Sequence, residues 1–255
     1  MLLIESGCDV NLQRNGRFAL LVAVRNTWVY ELYMILGTNK CDVNVVSDDA
    51  GNSALHEAVL AFPKLLYLSS TDFQFDVFKM VLNAGCNVKI ANHVGDTALH
   101  MAIRGNNVLC AEKLLNFGSD PNAYNSDGDT PLHIATTNKN VNAVTQLLAG
   151  GSDVFATNKD GHTPLQLCKL FINTCNRFKD TQPYLRWLPH FTHCETVLIQ
   201  AEEEHFKKLV LTAALPHRNS TESFQTKFFD HCDVMQMVFE HVYPTSTLLK
   251  NDSEI

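Results

Sequence analysis

The sequence predicts an all-α solenoid: short helix-turn-helix units stacked in chain order, joined through β-turn tips and followed by further helices toward the C-terminus. Three observations lead there. First, Gly95-Asp96-Thr97-Ala98-Leu99-His100-Met101-Ala102 recurs 33 residues later as Gly128-Asp129-Thr130-Pro131-Leu132-His133-Ile134-Ala135, and Gly161-His162-Thr163-Pro164-Leu165-Gln166 begins a third time after another 33. A fixed period of that size marks supersecondary units that bury their apolar faces only against copies of themselves. Second, an apolar pair follows the glycine by 19 and 20 residues in three units, as Ile35-Leu36, Leu114-Leu115 and Leu147-Leu148. Third, each regular unit carries the punctuation of two helices. Asp127-Gly128 and Asp160-Gly161 make tight turns, Thr130 and Thr163 stand at an N-cap with proline after them, and Gly150-Gly151 closes the second helix.

Taken in order, the chain begins with residues 1–15, the trailing half of a unit whose first half is absent, so that an exposed apolar face is expected near Leu2 and Leu3 and the chain is expected to belong to a longer array or complex. Units follow at 16–50, 51–94, 95–127 and 128–160. In the second of these the apolar pair is Val81-Leu82, 30 and 31 residues after Gly51, which places 11 extra residues between its two helices around 62–71. Residues 161–215 form a degenerate unit in which the pair appears only at Val197-Leu198, after a longer insert at 175–190 carrying Pro183, Trp187 and Pro189. A long helix is predicted from Thr192 to Leu215, with Val197, Leu198, Ala201, His205 and Leu209 along one side and Glu202-Glu203-Glu204 on a solvated face. Residues 216–255 are predicted to add a capping helix with Phe224, Phe228, Cys232, Met235, Phe239 and Val242 in one stripe.

The 33-residue period with its Thr-Pro-Leu-His-x-Ala core resembles the ankyrin-repeat family. The resemblance implies that His56, His100 and His133 have a structural hydrogen-bonding role near the turn; Leu21 and Gln166 replace that histidine in the first and last units, where the role is expected to lapse. It also implies that the turn tips and the exposed side of the first helices form a concave partner-facing surface. Within it Glu57, Met101, Arg104, Ile134 and Thr137 are the expected partner contacts. Asp96 and Asp129, with Asp49, suggest an acidic rim.

Composition narrows the function. A hydrophobic share of 45% with 18% charged residues suits a packed core, and 20 basic against 27 acidic residues give a net charge of −7. That balance disfavours nucleic acid or an anionic membrane as the main partner. No apolar run approaches the roughly 18 residues of a membrane span, and a cytoplasmic or nuclear protein is expected. Cys8, Cys41 and Cys86 occupy one repeat-fixed site that Ser119 and Ser152 fill in later units. Equivalent sites in stacked units lie roughly 8–10 Å apart, beyond the roughly 7 Å reach of a disulfide, so reduced, buried, space-filling thiols are expected. Cys168, Cys175, His190, His193 and Cys194 gather around the long insert, but their spacing matches no common zinc framework. No cofactor or metal is expected. Nucleophile-elbow, phosphate-loop and His-Glu-x-x-His motifs are absent. The expected function is therefore a non-catalytic protein-interaction module or scaffold, the alternative being the substrate-recognition subunit of a ubiquitin ligase with the helices after Thr192 docking the ligase.

Overall fold

In a computed structural model the described residues are 9–13, 17–38, 40–47, 49–61, 71–177 and 182–214. They form ten helices: α1 (Ala19–Arg25), α2 (Val29–Leu36), α3 (Ala54–Ala61), α4 (Thr71–Asn83), α5 (Ala98–Arg104), α6 (Val108–Asn116), α7 (Pro131–Thr137), α8 (Val141–Ala149), α9 (Pro164–Arg177) and α10 (Gln182–Ala214). The chain divides into two compact units, 1–204 and 205–255, and of the second only 205–214 are described. The predicted apolar face at Leu2 and Leu3, residues 62–70 of the first insert, and the stripe from Phe224 to Val242 lie outside the described residues.

The odd-numbered helices form one layer, α1 on α3, α3 on α5, α5 on α7 and α7 on α9. α1, α3, α5 and α7 are short, and where neighbours cover both sides the helix is buried almost all round; every residue from Pro131 to Thr136 in α7 is buried. Position sets the residue type. The second residue of each is leucine, namely Leu20, Leu55, Leu99, Leu132 and Leu165, all nearly inaccessible. The fifth is Ala23, Ala58, Ala102, Ala135 or Cys168, where a small side chain lets adjacent helices approach. The even-numbered helices α2, α4, α6 and α8 pack outside as a second layer, turning in Ile35, Val81, Leu114 and Leu147. The chain passes from inner to outer helix through a left-handed residue, Thr27, Asn106 or Lys139, each with φ near +60°. The second helices α6 and α8 close in Schellman motifs, with Ser119 N–H donating to Leu114 O and Ser152 N–H to Leu147 O at 3.0 Å.

The tips are the third recurring part. Isolated antiparallel bridges join Val46 to Ser53 and Ala91 to Thr97, and neighbouring tips bond through backbone: His93 N–H to Ala50 O at 2.9 Å, Ser126 N–H to Val94 O at 3.1 Å. This stacking explains the glycines. Gly95 has φ +75°, and a Cβ there would lie 2.5 Å from the Ser126 backbone nitrogen, inside the next tip.

The last unit departs from expectation. α9 runs 14 residues instead of seven or eight, so Cys175 of the supposed insert lies on it, buried at 4% exposure. The following helix starts at Gln182 rather than Thr192 and passes through Pro189. A proline inside a helix removes one bond and crowds the preceding turn, at about 3 kcal/mol, and anchoring contacts offset this on both sides of it: Phe191 stacks on Phe171 with centroids 5.1 Å apart, and the Lys139 ammonium sits 4.2 Å from the Trp187 ring centroid. Phe191, Cys194 and Leu198 form the buried stripe of α10, with Val197 and Ala201 half-buried beside it, whereas His205 and Leu209 are exposed. Glu202, expected in solvent, is 6% exposed; it follows Leu198 by one turn and so continues the buried stripe.

Two stability tests follow from this packing. Leu132→Ala removes a fully buried side chain and should cost about 2–5 kcal/mol in urea titration. Gly95→Ala should cost about 2 kcal/mol or more, whereas Gly161→Ala, at φ +77° but with nothing within 4 Å of the new methyl, should cost about half of that; equal losses would contradict the stacked-tip account.

Candidate functional site

The surface that could face a partner is built from the tips and the inner helices, and three hydrogen-bonded systems hold it. The first is a histidine relay. Thr97 N–H donates to His100 Nδ1 at 3.1 Å with the Thr97 hydroxyl 2.9 Å from the same nitrogen, while His100 Nε2 lies 3.2 Å from Asp129 O in the next tip. Ser53, His56 and Asp96 repeat the arrangement, as do Thr130, His133 and His162. The geometry fixes the tautomer. A backbone N–H can only donate, so Nδ1 carries the lone pair; a carbonyl can only accept, so Nε2 carries the proton. The structural role implied for these histidines is thus seen, and it bridges consecutive units. In the last unit the role does not lapse altogether: Gln166 Oε1 accepts the Thr163 N–H at 2.9 Å and Gln166 N–H donates to the Thr163 hydroxyl at 3.2 Å, which keeps the near half of the bridge.

The second system is an asparagine ladder. Asn92, Asn125 and Asn158 stand three residues before a tip glycine. Each accepts two N–H groups of its own tip on Oδ1. Each amide then donates backwards, to Asn52 Oδ1 at 3.1 Å, Asp96 Oδ1 at 2.9 Å and Asp129 Oδ1 at 3.1 Å. These residues were not singled out from the sequence, although an asparagine at a constant distance before glycine was the available signal.

The third system is a pair of arginine–carboxylate contacts. Arg25 donates from Nε to Glu57 Oε2 at 3.0 Å and from Nη2 to Glu57 Oε1 at 2.9 Å, and Asn52 Nδ2 adds a third bond to Oε1 at 3.1 Å. Burial alone would raise the Glu57 carboxyl; the bonds from Arg25 and Asn52 outweigh it and hold the group below the usual value of 4.5. Arg104 grips Asp96 of its own tip with both Nε and Nη2 at 3.3 Å. In both pairs the acid is buried, with side chains 3% and 6% exposed, and the arginine is not, at 55% and 54%.

These placements revise the expected contacts. Glu57, Asp96 and Ile134 are buried, at 3%, 4% and 4%, and face neighbouring units rather than solvent. Asp129 is half-buried and serves the ladder, so Asp96 and Asp129 form an internal scaffold instead of an acidic rim; Asp49 is exposed. Met101 is half-buried, and Arg104 and Thr137 are exposed. Two hollows flank Arg25: one of about 340 Å³ is lined by Arg25, Asn52, Glu57, Leu60 and Ala61, and one of about 170 Å³ by Arg17, Leu21, Val22, Arg25, Asn26, Ser47 and Asp49.

The cysteines lie in apolar surroundings. Cys168 donates to Phe191 O at 3.1 Å, and burial pushes its thiol up to about 12 and that of Cys194 to about 11, which keeps both protonated and poorly nucleophilic. His190 and His193 are exposed on α10, and among the described residues no three metal-capable side chains converge. Cys41 and Cys86 are free and half-buried, less enclosed than the alanine-like filling that the repeat position suggested.

Helix pairs stacked in two layers, with tips bonded edge to edge and histidines reaching from one tip to the next, define a repeat solenoid whose exposed inner-helix row is its distinctive surface. The family model described as ankyrin repeats (3 copies) matches residues 65–158 and, in an overlapping placement, 110–179. Residues 65–179 thus match ankyrin repeats, which generally serve as protein–protein interaction modules and are typically non-catalytic. No curated protein matches the chain. No helix among the described residues is long and apolar enough to cross a membrane.

The relay sets a pH dependence. Burial is the leading cause that lowers the pKa of His56, His100 and His133 below the usual 6.5. Below pH 6.5 the unfolded chain therefore binds more protons than the folded one, and stability is lost as pH falls through the folded values. Thermal melts should be level above about pH 7 and shift down progressively toward about pH 5. His133→Gln should melt lower at neutral pH yet show a shallower decline, because it keeps the near bond and removes one titrating group.

Proposed function

We propose that the chain is a non-catalytic protein-interaction module that holds a protein partner along the exposed row of its inner helices, across the span from Gly51 to Gly161. The observation that supports it is the alignment of accessible and fixed side chains there. Arg104 and Thr137 stand exposed at the end of their helices, Met101 lies half-buried one turn before Arg104, and the row rests on a layer held unit to unit by the relay and the ladder. Rigidity of that kind lowers the ordering cost of association. Ile134 contributes as buried support for Thr137 rather than as a contact.

Capture of partners from the native cell by the tagged chain, read by mass spectrometry, tests the proposal. A Met101→Ala, Arg104→Gln double variant that keeps its helical circular dichroism should recover at least about tenfold less of the main partner. Undiminished recovery would remove this surface from consideration. Cullin or elongin subunits among the proteins captured would make the chain the receptor of a ubiquitin ligase, the reading in which the helices after Thr192 dock the ligase.

A further inference from the structure

Resting on that reading and extending its row by one unit to Arg25, the seventh residue of each inner helix specifies what kind of segment the row accepts. Those residues are Arg25, Leu60, Arg104, Thr137 and Leu170. All are exposed, the leucines at 58% and 50%, among the more accessible large apolar side chains of the described residues. One turn earlier in the same helices stand Val22, Glu57, Met101, Ile134 and Leu167, half-buried or buried, so the row rises from a largely apolar floor. The helices that carry it pack side by side, at a spacing of roughly 8–10 Å.

The two arginines are displayed in a particular way. Each uses Nε and Nη2 on a carboxylate beneath it, which leaves three of the five guanidinium N–H groups uncommitted. The carboxylates are shielded while the guanidinium edges are in solvent, so an approaching segment meets oriented donors first. The acid beneath offsets the charge, and the attraction is therefore directional more than long-ranged; a planar fork held in place matches a carboxylate in geometry and loses little freedom on binding. Asp49, across the smaller hollow, disfavours a second carboxylate there, and the larger hollow between Arg25 and Leu60 is the open approach.

Spacing then selects the backbone. A step of roughly 9 Å per unit equals one turn of polyproline II, which has about three residues per turn at about 3.1 Å each and presents every third side chain on one face. A β-strand, with its period of two, cannot keep one face on successive units, and an α-helix would advance about six residues per step. We propose that the row docks an acidic segment of a partner protein in the polyproline II conformation, of the form acid-x-x-apolar-x-x-acid, its two carboxylates on Arg25 and Arg104 and its apolar side chain against Leu60. Further along, the same period brings a polar residue to Thr137 and an apolar one to Leu170.

Fluorescence anisotropy of a labelled peptide, Glu-Pro-Ser-Leu-Pro-Ser-Glu, titrated with the full chain tests this directly. Saturable binding is expected, weakened about tenfold when either glutamate becomes glutamine and weakened by Leu60→Gln in the protein. A peptide with one residue instead of two between its leucine and each glutamate should bind no better than a peptide whose glutamates are replaced by lysine. Equal binding by the lysine or shifted peptides, or no saturable binding, would overturn the proposal. So would self-association of the chain that Leu60→Gln abolishes, since a second copy would then own the row. If the Met101→Ala, Arg104→Gln variant loses its cellular partner while the peptide fails to compete, the acidic segment is wrong and the interaction surface stands; if partner capture ignores that variant, the surface itself is wrong.

Discussion

The inner helices and their tips depend on an imidazole held neutral between two tips. Its Nδ1 takes a backbone N–H at the start of one inner helix and its Nε2 proton goes to a carbonyl of the following tip, so one ring closes the N-terminus of a helix and sets the position of the next unit. Without it the buried Thr97 N–H would be unpaired, a cost of about 1–3 kcal/mol, and the Asp129 carbonyl, which also accepts the Asn125 N–H at 3.0 Å, would lose its second bond. A hydroxyl is too short to span that gap, and lysine has no lone pair to offer. The ring's reach and its two unlike nitrogens make a single residue sufficient.

The relay also accounts for where regularity ends. With Gln166 in place of histidine the near bond survives and α9 continues to twice the usual length, after which the chain turns into α10. In the apolar pair of that unit Leu198 is still buried in the core with Val197 packed against it, but Phe191, Trp187 and Lys139 now fix the geometry that a tip and a left-handed turn fix elsewhere. Aromatic packing has taken over from backbone hydrogen bonding as the means of attaching the last unit.

Much of the fold was legible because its causes are local. Glycine needs a left-handed backbone at the tips, threonine and proline suit a helix start, and the leucine and alanine positions repeat with the period. The inter-unit chemistry was less legible. Asp96 and Asp129 looked like surface charge because a tip is ordinarily exposed, yet they lie under the following tip, and only the stacking shows that Asn125 and Asn158 reach back to them. Glu57 was misplaced for the same reason, since its partner Arg25 is 32 positions away. The insert around Pro189 misled in another way: the helix was expected only from Thr192, yet it starts at Gln182 and runs through the proline, with tertiary contacts on both flanks of it.

The arginine pairs tie the exterior of this protein to its interior. An ordinary surface residue drifts freely among relatives because nothing beneath it notices the change. Here Arg25 and Arg104 neutralise acids that have almost no access to water, and replacing either one strands a charge that only a compensating change below could relieve. The exposed arginine edges and the packing beneath them are consequently inherited together. A lineage that altered either arginine would have to alter Glu57 or Asp96 as well, and such paired exchanges are the trace that divergence at this surface would leave.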